Sequence, residues 1–350
     1  MTQLLTYPDI DPQQWQALID RSPYATWFQT KEAYEFYAAL SSELIPFAFG
    51  IEECRGDEAM RQLGDKDGDR LVGVIVGYIT RERNAIKQFF TRRAIIIGGP
   101  LLAEDISNEA LSMLLTSLRN LPSLQGGAGV GLPIYIETRN FHDYSKWKSV
   151  FEANGFAYQP HYDIHVHCNA QHQMSERRQR ELKRAIKNGA MVCEAQTEQE
   201  VRDWYQILHR LYREKVRTPL FSEEFFLQFY RNGVGKYLLV KKDDKVIGGM
   251  MCPILPGKAI YEWYVCGLDE EYRELSPSVV ATAAAINYAK VHGLSLFDFM
   301  GAGQPDVPYG VRDFKLEFGG EIVEYGRFLC IRKPLLYKIG QIGVKLLKRK

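Results

Sequence analysis

The 350-residue sequence is notable first for what it lacks. It carries almost no net charge: 44 lysines and arginines face 43 acidic residues, a formal +1. No global field therefore draws in nucleic acid or membrane, and any such contact needs a local patch. The six cysteines (Cys54, Cys168, Cys193, Cys252, Cys266 and Cys330) include no CxxC pair and no framework spacing. Several sit in apolar, strand-like runs, as buried free thiols do. No window holds the roughly 18 apolar residues of a membrane span. The first stretch contains Asp9, Asp11 and Asp20 and no apolar core, which argues against a signal peptide and for a reducing, cytoplasmic setting. The sequence has no GxSxG, no spaced Cys/His pair, and no phosphate-loop or dinucleotide fingerprint. Asp65, Asp67 and Asp69 have the spacing that opens a calcium loop, but Arg70 and Val76 stand where glycine and a bidentate glutamate are required. Asp67-Gly68 reads instead as a hairpin turn.

What is present is an ordinary globular composition, 46% hydrophobic and 25% charged, in a chain long enough for two domains. Helices are expected at 11–20 and 29–41, and strands at 45–51, 71–80 and 94–97, the last ending at Gly98-Gly99-Pro100. A helix at 108–118, a strand at 134–137 and a helix at 144–153 follow. The second half repeats this order. Strand 190–195 leads to helix 198–215, whose Val201, Trp204, Tyr205, Leu208, Leu211 and Tyr212 form one apolar face. Then come helix 222–230, a hairpin of 236–240 and 246–253 about Asp243-Asp244, strand 259–266, helix 277–291 and strand 295–299. Matched by order, 71–80 corresponds to 246–253, 94–97 to 259–266, 108–118 to 277–291 and 134–137 to 295–299. The pattern implies two copies of one α/β unit, a repeat of order rather than of residues, each with a mixed sheet. A long strand at 156–167 and a basic helix at 175–188 are expected to connect them.

Residues 294–320 hold the best candidate site. An apolar strand interrupted by Asp298 runs into a Gly- and Pro-rich loop, then a short helix with Val311, Phe314 and Phe318 at i, i+3 and i+7. Lys315 falls at the border of that apolar face, where a lysine must be partly desolvated or reach a partner. Three other clusters have two readings each. His161, Asp163, His165 and His167 share one face of a strand at period 2, a metal site or groove lining on one view, a plain half-exposed surface on the other. Arg177, Arg178, Arg180, Lys183, Arg184 and Lys187 make helix 175–188 suited to phosphate contacts, or to solvation. The tail 333–350 has six basic and no acidic residues alternating with Leu335, Leu336, Ile339, Ile342, Leu346 and Leu347. It reads as a helix packing back on the first domain with its lysines outward, the other reading being a helix on a membrane surface.

Laid out this way, the chain resembles the Fem family of peptidoglycan peptide-bridge aminoacyltransferases along essentially its whole length. The resemblance rests on Trp27-Phe28-Gln29-Thr30, on Gly99-Pro100-Leu101, on the basic helix Arg177 to Lys187, and on Phe297-Asp298-Phe299 with Phe314-Lys315-x-x-Phe318-Gly319-Gly320. It implies an α/β fold of two tandem GNAT-like (acyl-CoA N-acyltransferase-like) domains, 1–168 and 169–329, with a basic helix at 330–350 and no long coiled-coil arm. It also implies transfer of an amino acid from aminoacyl-tRNA to the stem-peptide amine of a nucleotide- or lipid-linked peptidoglycan precursor, without cofactor or metal, in the cytoplasm or at the inner membrane face. Lys315 is then the catalytic match. Phe314, Asp298, Arg217, Tyr261, Tyr264, Tyr309 and Lys31 are the substrate-binding matches, with Phe221 where a family tyrosine is expected. Arg177, Arg180, Lys183, Arg184 and Lys187 are the tRNA or phosphate matches.

The rival chemistry on such a fold is acyl-CoA-dependent N-acylation, which needs backbone N–H groups at a helix start to hold pyrophosphate. The equivalent segments, Arg273-Glu274-Leu275-Ser276-Pro277-Ser278 and Glu104-Asp105-Ile106-Ser107-Asn108, have no glycine and carry acids. A non-catalytic binding protein on the same scaffold is the third possibility.

Overall fold

The structure, a computed structural model, describes residues 2–54, 69–81, 91–121, 132–169 and 174–349. The expected Asp67-Gly68 turn lies outside them. In chain order the elements are β1 (Thr2–Thr6), α1 (Pro12–Arg21), α2 (Lys31–Ala39), β2 (Leu44–Cys54), β3 (Asp69–Thr80), β4 (Arg93–Gly98), β5 (Leu101–Leu102), α3 (Asn108–Arg119), β6 (Tyr135–Asn140), α4 (Lys148–Ala153), β7 (Ala157–Gln159) and β8 (Tyr162–His167). They continue with α5 (Glu176–Lys187), β9 (Met191–Glu194), α6 (Glu198–Leu211), α7 (Glu223–Arg231), β10 (Gly235–Lys242), β11 (Lys245–Leu255), β12 (Ala259–Tyr261), β13 (Tyr264–Gly267), α8 (Pro277–Val291), β14 (Leu296–Asp298), α9 (Gly310–Leu316), β15 (Glu321–Glu324), β16 (Arg327–Ile331) and α10 (Pro334–Arg349).

The chain forms two compact units, Met1–Pro160 with Tyr325–Lys350, and His161–Glu324. The first is built on a sheet of order β1-β2-β3-β4-β6-β16-β7, with β5 beside β3. The second has order β15-β8-β14-β12-β11-β10-β9, with β13 beside β11. Both sheets are mixed: β4 and β6 run parallel, as do β12 and β14, and α3 and α8 are the respective crossovers. Parallel neighbours require such a crossover helix.

The boundaries differ from the expected 168 and 329, and the expected strand 156–167 is the reason. It breaks at Pro160, which has no N–H for a ladder. The β7 half stays at the edge of the first sheet, while β8 lies between β14 and β15 in the second. The chain returns through β15 into β16, which inserts between β6 and β7. Each sheet is thus completed by a strand whose neighbour in sequence belongs to the other. The basic helix α5 is therefore not a connector; it belongs to the second unit and packs on α8.

In the first unit, Phe328 of β16 is 1% exposed and stacks on Phe151 with ring centroids 3.9 Å apart, a burial that contributes about 2 kcal/mol. Beside it, Glu137 of β6 pairs with Arg327 of β16 at 2.7 Å and with Arg139 at 3.3 Å. Burial works against the Glu137 charge, but the two guanidiniums outweigh it and hold the carboxyl down at about 2. The Phe-Gln-Thr turn meets the Gly-Gly-Pro stretch directly. Gln29 Nε2 donates to the carbonyls of Gly98 (3.2 Å) and Gly99 (2.8 Å), and its Oε1 accepts from Thr26 N. Gly98 and Gly99 both have φ near +80°, and a Cβ at Gly99 would meet the Tyr144 ring at 2.8 Å, so both need glycine.

The tail forms a helix grouped with the first unit and Lys338 faces outward, but its apolar residues are not all covered. Tyr337 of α10 packs on Tyr135, centroids 5.3 Å apart, but Leu335, Ile339 and Ile342 face outward, 79%, 52% and 59% exposed.

Candidate functional site

In the second unit, the core surrounds five ionisable side chains: Asp163 and His165 on β8, Asp298 on β14, Glu262 between β12 and β13, and Lys315 on α9. All are buried. The sheet register explains the meeting. His165 stands directly opposite Asp298 on the neighbouring strand, so their side chains share a face, and Asp163, two residues earlier, shares it too. His165 Nε2 lies 3.4 Å from Asp298 Oδ2. The expected half-exposed polar face is instead mostly internal, because β8 runs between two strands rather than at an edge. Only His161, half-buried, and His167, exposed and 2.8 Å from Glu321, stay near solvent.

The two aspartates also fix the loop that follows β14. Asp298 Oδ1 accepts from Met300 N at 2.6 Å, and Asp163 Oδ1 accepts from Gly301 N at 2.6 Å and Ile164 N at 2.7 Å. Met300 has φ of 57°, a left-handed conformation uncommon for a side-chain-bearing residue, and this carboxylate turn is what holds it. Further on, Arg312 of α9 donates to the carbonyls of Ala302 (2.8 Å), Gln304 and Val307 (3.3 Å), with its guanidinium 4.9 Å from the Tyr162 ring.

Lys315 closes the cluster. Its Nζ donates to Phe299 O at 2.7 Å and Gly301 O at 2.9 Å and lies 3.1 Å from Glu262 Oε1. An ammonium has three hydrogens, so all are engaged. The helical reading placed Lys315 at the border of an apolar face. In the structure α9 turns Lys315 fully inward and leaves Val311 43% exposed, since the three acceptors lie beneath the lysine. Glu262 is the residue sequence reasoning missed. It sits where the expected strand 259–266 splits: β12 pairs with β14, β13 pairs with β11, and Glu262 N donates to Asp298 O at 2.9 Å between them. Its Oε2 is buried with no hydrogen-bond partner. A lone acid in the run AIYEWYVC was the available signal.

Burial dominates the electrostatics. It raises the Asp163 carboxyl well above its usual range, with Asp298 adding to the effect and His165 and Lys315 opposing it. It likewise raises Glu262, against the pull of Lys315. Burial disfavours the charged form of His165, but Asp298 and Asp163 outweigh it and leave the imidazole above its ordinary value. Asp163, His165 and Asp298 bring ligand atoms within 4.8 Å of one another, a donor set a metal can use. Lys315 already supplies a positive charge beside these carboxylates.

The remaining candidates divide by burial. Tyr261 is a core side chain, 1% exposed, and meets no solvent. Tyr264 is half-buried among Tyr212, Phe225 and Phe226. Tyr309, 43% exposed, packs over Gly303 and, after burial itself, helps push Tyr212 up to about 12. Phe221 stacks on Phe225, centroids 4.2 Å apart. Arg217 is exposed at a left-handed helix end, its Nε 3.4 Å from Glu214 O. Lys31 is in the first unit, 2.9 Å from Glu35. Phe314 is half-buried beneath the guanidinium of Arg178, 4.5 Å away. Arg178 is itself buried, paired with Glu181 (2.5 Å) and Glu317 (2.6 Å), so it is a packing residue and not a phosphate contact. Arg177, Arg180, Lys183, Arg184 and Lys187 are exposed. Neither helix start suits pyrophosphate. At α8, Asp269 Oδ1 takes the Ser278 N–H at 3.0 Å and Pro277 has none to give. At α3, Ser107 caps the helix and bonds to Glu53.

Comparison with known proteins places the fold. Residues 171–315 match the family model described as an acetyltransferase (GNAT) domain. Among solved structures, the FemX crystal structure superposes with a TM-score of 0.67 at 14% identity, covering 96% of this chain and 99% of that one. The fold is tandem GNAT, of the Fem type. L-PGS from Bacillus licheniformis (TM-score 0.56, 12% identity, 95% and 96% covered) and a tandem GNAT protein from the clavulanic acid biosynthesis pathway (0.54, 9%, 94% and 98%) share it. No curated protein matches the chain in sequence. In this tandem GNAT chain the buried cluster lies wholly in the second unit, and no helix among the described residues is long and apolar enough to cross a membrane.

Proposed function

We propose that the second unit transfers an aminoacyl group from an aminoacyl-tRNA ester to the stem-peptide amine of a peptidoglycan precursor. The observation that carries this reading is the buried Lys315–Glu262 pair at 3.1 Å beneath the loop that follows β14. Exchanging the contact to Glu262 for a substrate carbonyl lets the ammonium stabilise the oxyanion that forms as the amine attacks the ester carbon. The amine proton passes to Glu262, whose raised pKa and unpartnered Oε2 suit a general base. Collapse of the tetrahedral species expels the ribose oxygen, which takes that proton, and no covalent enzyme intermediate is needed. Exposed Tyr309 with Tyr264 and Arg217 supplies contacts for the precursor, and Arg177, Arg180, Lys183, Arg184 and Lys187 supply cations for tRNA phosphates. The start of α3, capped by Ser107 with Glu109 in its first turn, and that of α8, whose Ser278 N–H is taken by Asp269, weigh against acyl-CoA as the donor.

The test is a purified transfer assay with charged tRNA and a nucleotide-linked muropeptide. Lys315→Met should lower the rate by at least about a hundredfold, as loss of an oxyanion donor does, and tRNA binding should weaken steeply between low and moderate salt. An unchanged rate removes Lys315 from the reaction. Clear saturable heat on calorimetric titration with acetyl-CoA would move the reading to acyl-CoA-dependent N-acylation, in line with the acetyltransferase description of the matched family model.

A further inference from the structure

We infer that α10 is an interfacial helix that seats the chain on an anionic phospholipid surface. At about 100° per residue, its positions sort into three arcs. Leu336, Tyr337 and Gly340, spread over about 100° of the wheel, are half-buried, with Tyr337 against Tyr135. Leu335, Ile339 and Ile342 lie within about 60° of one another on another side and are all more than half exposed. Lys338, also exposed, lies in the arc between these two. The helix is therefore held to the first unit along one side, with an apolar row outward and a cation beside it.

This is the arrangement of a helix lying in a lipid interface, apolar row in the acyl boundary and cations at the headgroups. The charge selects the occupant. Residues 333–350 hold six basic and no acidic side chains, so two copies of this helix repel each other, whereas anionic headgroups attract it, about fivefold in affinity per cation. The inference does not depend on the reaction proposed above.

The experiment sediments the full chain with vesicles of phosphatidylcholine containing about a third phosphatidylglycerol, and with pure phosphatidylcholine. Binding to the first should exceed binding to the second at least about tenfold and fall with salt. Ile339→Asp with Ile342→Asp should reduce it at least about tenfold while leaving the denaturation midpoint unchanged, because both side chains are already exposed. Lys338→Glu should weaken it by a smaller factor. Equal binding to both vesicle types overturns the inference, as does a double variant that binds like the parent. A solution mass of two chains that falls to one in the double variant also overturns it, because a second copy would then cover the row.

Discussion

The Lys315–Glu262 pair permits a stability prediction separate from any assay of activity. At 3.1 Å and an effective dielectric of about 20, the gross attraction is about 5 kcal/mol. Desolvating both groups takes back a large part, so the net worth of the pair is small beside the cost of breaking it. Lys315→Met leaves the Glu262 carboxylate buried without its counter-charge, and leaves Phe299 O and Gly301 O without their donor. A loss of about 3–5 kcal/mol is expected at neutral pH. Glu262→Gln removes the charge, keeps the shape, and leaves Lys315 its two carbonyls, for a loss of about 1–3 kcal/mol. In the double variant no unpaired carboxylate remains, so the two losses should overlap by about 2 kcal/mol. The pH dependence has a definite sign. The folded pKa of Glu262 is above its ordinary 4.5, and removing Lys315, which holds it down, raises it further. A carboxyl that binds its proton more tightly when folded favours the folded state at low pH and loses that advantage as pH rises through the folded value. Lys315→Met should therefore recover stability on acidification from neutral pH toward 4.5, and Lys315→Met with Glu262→Gln should not. Urea denaturation of the four proteins at two pH values measures all of this. A coupling below about 0.5 kcal/mol at neutral pH would refute the claim that these side chains hold each other.

Two further predictions concern titration. Glu137, held at about 2 by Arg327 and Arg139 after burial is overcome, contributes stability that is present above its ordinary 4.5 and lost as pH falls toward 2. Holding the carboxyl at about 2 in place of 4.5 is worth about 3 kcal/mol, so Glu137→Gln should cost about that at neutral pH and flatten the acid limb of the stability curve. His165 has the opposite sign. Its folded pKa is above 6.5, so its contribution is complete below about 6.5 and disappears as pH rises through the higher folded value. The denaturation midpoint should drop as pH rises above 6.5, and His165→Gln should reduce that drop; a drop of the same size in the variant would assign it to other groups.

How much of this was legible from the sequence depends on what each feature requires. The position of Lys315 at a wheel boundary was readable, and so was its need for a partner, because both follow from helical period alone. The partner was not, since Glu262 reaches it only through the split between β12 and β13, which tertiary pairing creates. The shared face of Asp163 and His165 followed from period 2. Its burial did not, because alternation states which residues point together and never which neighbours cover them. Residue pattern also favoured an outward row of lysines on α10; Lys338 is indeed exposed, but the structure turns Leu335, Ile339 and Ile342 outward as well.

The strand exchange shows this limit most sharply. A repeat of element order predicts that each unit is a continuous segment. Yet Pro160 interrupts a run whose two halves both read as strand, and the Tyr325-Gly326 turn does the same between β15 and β16. Local propensity is satisfied whichever sheet receives β8 or β16. What decides is side-chain fit: Phe328 on Phe151 and Arg327 on Glu137 in one sheet, His165 opposite Asp298 in the other. The buried cluster in the second unit therefore depends on a strand, β8, whose place no count of local signals settles, and two of its five ionisable side chains, Asp163 and His165, arrive on that strand.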